Sequence, residues 1–136
     1  MKIQILKFDK YNKRPFRAHY NDAGADVYST EDITILPHTT VKIPLGFGLR
    51  IPTGFMGCIF PRSSYACKGV ISHIPPVDSG YTGEIHAIIS NLTDDAFTIK
   101  EGDRVGQLVI MPIYICDFVE DLGEERGDNG FGSSGK

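Results

Sequence analysis

The sequence predicts an all-β fold, a sandwich or barrel of short strands, and three observations carry that reading. Fifteen glycines and eight prolines recur every few residues along 136 positions. The apolar runs between them are short, β-branched and often alternating, the pattern of half-buried strands. No stretch carries an amphipathic helix of three turns.

In chain order, Met1-Lys2-Ile3-Gln4-Ile5 lacks the apolar run of a signal peptide. Asp22-Ala23-Gly24-Ala25-Asp26-Val27-Tyr28 reads as a tight turn entering a strand. Ile33-Thr34-Ile35-Leu36 and Thr40-Val41-Lys42-Ile43 are strands separated by the turn Leu36-Pro37-His38. Further turns fall at Pro44-Leu45-Gly46 and Ile51-Pro52-Thr53-Gly54. Phe55 to Phe60 is an apolar segment whose end delivers Pro61-Arg62-Ser63-Ser64, where a serine can open a short helix toward Lys68. Pro75 to Glu84 is a hairpin that projects Asp78 and Tyr81, and Ile85 to Ile89 is the strand after it. Past the turn at Lys100-Glu101-Gly102-Asp103, the longest apolar run, Arg104 to Tyr114, predicts a strand buried on both sides until Pro112 interrupts pairing. From Gly123 the composition turns to glycine, charge and serine. The expectation is therefore a single β domain over residues 1–122 and a flexible tail over 123–136.

Composition narrows the function. Forty-one per cent hydrophobic and 23% charged residues are ordinary for a soluble globular domain. A net charge of −3 argues against sequence-independent nucleic-acid binding, so any phosphate must be held by a few local cations and the ligand should be small. No segment approaches the roughly 18 apolar residues of a membrane helix, and a cytoplasmic protein is expected. Cys58, Cys67 and Cys116 are far apart and in no C-x-x-C pair, and the four histidines lack metal-ligand spacing. Idle thiols in a reducing compartment fit better than bridges or a structural metal.

The richest chemistry lies in Arg126-Gly127-Asp128-Asn129-Gly130-Phe131-Gly132-Ser133-Ser134-Gly135-Lys136. Its glycines leave backbone N–H groups free to converge on an anion, the serines add hydroxyls, and Arg126 and Lys136 add charge. Phe131 has no place in a bare linker but suits stacking on a base, so the tail reads as a nucleotide lid. Gly130 to Lys136 also fits the first seven positions of a P-loop, but neither the strand before it nor the helix after it is present in the pattern. Upstream, Arg62, Ser63 and Ser64 form a plausible phosphate cradle. Asp78 is placed to orient and deprotonate a water beside an anionic ligand. Asp26 suits either a cation held through water or an arginine clamp. Gln107 presents an amide where a strand begins, and Asp103 with Arg104 reads as an exposed ion pair.

In this order and with these separations, five clusters resemble the five motifs of the trimeric deoxyuridine triphosphatases. They are Ala23-Gly24-Ala25-Asp26-Val27, Pro61-Arg62-Ser63-Ser64, Val77-Asp78-Ser79-Gly80-Tyr81-Thr82-Gly83-Glu84, Gly102-Asp103-Arg104-Val105-Gly106-Gln107-Leu108-Val109, and Arg126 through Gly135. The resemblance implies a jelly-roll-like β fold, a homotrimer with active sites shared between chains, and Mg2+-assisted hydrolysis of dUTP to dUMP and pyrophosphate. Such an activity keeps uracil out of DNA and supplies dUMP. Carried onto matching positions, Asp78 would direct a water at the α-phosphorus and Tyr81 would pack on the deoxyribose, excluding a 2′-hydroxyl. Arg62, Ser63, Ser64 and, from a neighbouring chain, Gln107 would contact the triphosphate. Arg126, Gly132, Ser133 and Ser134 would close on the phosphates while Phe131 stacks on uracil. Val77 would belong to the hairpin backbone that reads the base, and Asp26 would reach magnesium through water.

One departure bears on specificity. The family usually has a glycine and an aliphatic residue before the hairpin's Ile-Asp, whereas this chain has Pro75-Pro76-Val77, and the segment from Arg62 to Asp78 is slightly short. Proline fixes φ and removes an N–H, so the base-reading hairpin should differ here. A broader-specificity or catalytically weak deoxynucleotide-binding relative is the alternative. The sibling dCTP deaminases share part of the pattern, but their catalytic glutamate falls by residue count on Ile88, which cannot shuttle protons.

Overall fold

The structure, a computed structural model, describes residues 1–123, within which β-branched alternation becomes ten short strands and one helix of five residues. β1 (Gln4–Lys7) pairs with β5 (Phe47–Arg50), and β3 (Ile33–Ile35) with β9 (Phe97–Ile99). Two three-stranded sheets carry most of the body. β10 (Arg104–Pro112) lies between β2 (Ala25–Tyr28) and β6 (Phe55–Phe60), while β8 (His86–Asn91) lies between β4 (Thr40–Pro44) and β7 (Val70–His73). Every pairing is antiparallel and several join strands far apart in sequence, as the jelly-roll class requires. Helix α1 (Ser63–Cys67) connects β6 to β7.

The core is built by alternate residues of facing strands, with Ile35, Ile43, Phe47, Ile89, Ile99 and Val105 almost fully removed from water. One buried polar residue pins an end of this core. Asn91 donates from Nδ2 to the carbonyls of Ile35 and Asp95, and its Oδ1 accepts from the Thr93 amide and hydroxyl. Among the described residues, no buried side-chain N or O atom lacks a partner, as expected where an unpaired group costs more than a pair contributes.

Two expectations need correction. β10 runs to Pro112 as anticipated, but Val105, Gly106 and Leu108 are buried while Val109, Ile110 and Met111 are only half-buried. The distal half borders an open apolar groove of about 400 Å³, lined by Ile3, Ile5, Leu49, Phe55, Leu108 and Ile110 among others. The proposed Asp103–Arg104 pair also does not form. Asp103 closes the turn before β10, where its Oδ2 accepts from the Lys100 amide, whereas Arg104 opens the strand and its Nη1 reaches Asp26 Oδ2 at 3.5 Å.

Candidate active site

Residues 74–85 join β7 to β8 and hold the candidate base Asp78. Pro75 and Pro76 carry no N–H, and Val77 exchanges two backbone bonds with Gly57 of β6, at 2.7 and 3.0 Å. After this anchor the chain turns sharply, with the Tyr81 amide donating to the Asp78 carbonyl at 3.0 Å. The Tyr81 hydroxyl donates to the Glu84 carbonyl at 2.6 Å, which fixes the ring. Glu84 Oε2 in turn accepts from the Gly46 amide.

Missing side chains make this packing possible. A Cβ on Gly83 would lie 2.6 Å from the Tyr81 hydroxyl oxygen, and one on Gly48 of β5 would lie 2.5 Å from the Gly83 carbonyl oxygen. The loop is therefore seated directly on β5, and the Tyr81 ring on the loop.

The result is a cleft of about 250 Å³ lined by Asp78, Tyr81, Val77, Pro75, Pro76 and Glu84, with Lys42, His73, His86 and Ile88 from the neighbouring sheet. That is somewhat below the roughly 300–1,000 Å³ of ordinary ligand pockets. Asp78 and Tyr81 both stay open to solvent. Ile88 enters the cleft, leaving hydrocarbon where a deaminase would need its proton-shuttling carboxylate.

Lys42, His73 and His86 were not anticipated from sequence. They sit on ordinary strands and meet only through register, Lys42 and His73 both lying opposite Ile88 and His86 two residues before it. A histidine on each strand flanking the hairpin was the available signal.

Arg62, Ser63, Ser64, Gln107 and Asp26 gather elsewhere, at the start of α1 and along β2 and β10. Gln107 lies opposite both Phe60 and Asp26 and donates to the Pro61 carbonyl at 3.3 Å. The Arg62 guanidinium lies over the Tyr65 ring, 4.9 Å from its centroid, and donates to the Arg104 carbonyl. Arg62 occupies the N-cap position without a side-chain cap bond, so α1 starts at Ser63 and both serines remain exposed. Within the chain, then, Arg62, Ser63, Ser64, Gln107 and Asp26 form a group apart from the Asp78 cleft and do not line it. Arg126, Phe131, Gly132, Ser133 and Ser134 lie outside the described residues. Among the described residues, no three His, Cys, Asp or Glu side chains converge as a metal cage, and no helix is long and apolar enough to cross a membrane.

Comparison with known proteins gives these features a context. The family model described as dUTPase matches residues 10–135. Deoxyuridine 5'-triphosphate nucleotidohydrolases of Corynebacterium efficiens and Clostridium novyi are 38% and 37% identical to the chain, over 98% and 99% of it and 78% and 99% of their own lengths. Among solved structures, a mutant dUTPase from Staphylococcus aureus phage phi11, described with a structural Mg(II) ion, superposes with a TM-score of 0.82 at 25% identity, covering 91% of this chain and all of its own. A mutant of the dUTPase of Staphylococcus bacteriophage 80alpha with dUpNHpp gives 0.77 at 27% identity over 98% of each chain.

Proposed function

The chain belongs to the dUTPase family, and on that premise we propose that it hydrolyses dUTP to dUMP and pyrophosphate, with Asp78 activating the water. The observation that carries this reading is the cleft in which Asp78 and Tyr81 stand together, one turn apart and open to a ligand. Pyrophosphate leaves with several negative charges, so the protein must position the water and surround the phosphates with donors more than it must do covalent chemistry. Asp78 holds and deprotonates the water at the α-phosphorus. Tyr81, fixed through Glu84, packs on the deoxyribose and leaves no room for a 2′-hydroxyl.

The two separate residue groups favour a homotrimer whose sites draw on more than one chain. Arg62, Ser63 and Ser64 contact the triphosphate, Gln107 approaches from a neighbour, and Arg126, Gly132, Ser133 and Ser134 close over the phosphates with Phe131 on uracil. Support for assembly comes from the apolar groove beside β1 and from the solvent-facing run after β10, where Tyr114, Phe118 and Leu122 are each at least 94% exposed. Such a strip is unusual on a protein that works alone.

Magnesium fits as a passenger on the triphosphate. A lone half-buried carboxylate, Asp26, beside Arg104 suits contact through water rather than a dedicated protein cage. Bound there, the ion would neutralise developing phosphate charge. A cytoplasmic location completes the reading.

The test is Asp78→Asn. Calorimetry should give near-normal dUTP affinity while single-turnover hydrolysis falls at least about a hundredfold. Turnover within a few-fold of the parent would remove Asp78 as the base.

A further inference from the structure

The loop that should read the base has few backbone groups left to read with. Pro75 and Pro76 have no N–H, and the Val77 N–H and carbonyl are both committed to Gly57. Residues 75–77 therefore keep the two proline carbonyls but offer no free N–H, so a base carbonyl lying against them must find its donor on a side-chain partner, because leaving it unpaired on burial is costly.

His73 is placed to be that partner. It ends β7 immediately before the proline pair and lines the cleft with Asp78 and Tyr81. Its Nε2 lies 2.7 Å from Ser90 Oγ, which lies 2.6 Å from Thr40 Oγ1. Ser90 is buried, so the ring is held from below and Nδ1 remains as the nitrogen without a partner among the described residues. When Ser90 donates to Nε2 the ring proton sits on Nδ1, which then offers a donor suited to a pyrimidine carbonyl and unsuited to an exocyclic amine. We propose that His73 reads the edge of the base in this cleft, taking over a role that the proline-substituted hairpin backbone has lost. The proposal rests on the reading of the cleft as a deoxynucleotide site.

The experiment compares the parent protein with His73→Ala and His73→Gln, measuring kcat and KM on dUTP and dCTP, dUTP affinity by calorimetry, and melting temperature. The expected result for His73→Ala is a dUTP KM about tenfold higher, kcat within about threefold, and a narrowed preference for dUTP over dCTP. His73→Gln, which retains a side-chain N–H, should recover most of the loss at an unchanged melting temperature. Unchanged KM and preference in His73→Ala would overturn the proposal. So would a loss shared equally by both nucleotides with a lowered melting temperature, the signature of a strut beneath the sheet. If the parent does not turn over dUTP, the proposed activity fails on its own, and the dUTP affinities of parent and His73→Ala still decide the role of His73.

Discussion

At the scale of single residues, the site depends on side chains that are absent as much as on those present. Gly83 leaves room for the Tyr81 hydroxyl to reach the Glu84 carbonyl, and Gly83→Ala would press a methyl group into it. We expect this substitution to lower kcat/KM for dUTP about tenfold and to relax discrimination against UTP. Overpacking of about 1–3 kcal/mol should be relieved by moving the ring rather than by unfolding. Parallel dUTP and UTP kinetics check it, and unchanged sugar selectivity would show that the ring does not need its tether. Asp78 and Tyr81 were legible as candidates in the sequence because they fall within one short turn, and the structure brings both to one cleft. The pairing of Arg104 was not legible, because Asp103 is taken up by the turn with Lys100 and the partner of Arg104, Asp26, comes from a strand distant in sequence. Lys42, His73 and His86 were hidden for the complementary reason: residues distant in sequence became neighbours through register alone.

At the scale of elements, the strands were readable because a period of two is imprinted wherever one face is buried. Ile33–Ile35, Thr40–Pro44 and His86–Asn91 form where alternation places them. β10 was misjudged in its distal half because an apolar run does not reveal which of its faces its own fold will cover. The turn after β8 offers a test separate from the site. The buried Asn91 side chain donates two bonds and accepts two from the Thr93 amide and hydroxyl. Asn91→Ala should destabilise the fold by about 2–3 kcal/mol through the carbonyls left without donors. Urea unfolding at fixed protein concentration measures this, with kcat expected to stay near the parent value. A stability change below about 0.5 kcal/mol would show that water replaces the amide at no cost.

At the scale of the whole molecule, the order β2-β10-β6 joins early, late and middle segments, and no local signal specifies such a pairing. The ordered series of motifs implied the jelly-roll class, but the strand order itself comes only from the structure. The same scale holds the prediction on shared sites. Asp78→Asn and Gln107→Ala chains should each be poor enzymes alone. Unfolded together in equal amounts and refolded, they should regain roughly a quarter of parental activity, because half of each contribution is intact at a site drawing on two chains. No recovery would mean that one chain supplies both residues.

Among the described residues the run from Ile113 to Leu122 is exposed throughout, tied back at its start by the Ile113 amide on the Gly54 carbonyl, and in the proposed trimer this bears on how long the protein lasts. A chain that has lost its companions would present to proteases an extended, apolar, accessible stretch, whereas an assembled one would not. Partner binding adds stability by mass action, so lifetime would rise with abundance. Scarce copies would be cleared first, and the cell's supply of the protein would tend toward either enough to assemble or none at all.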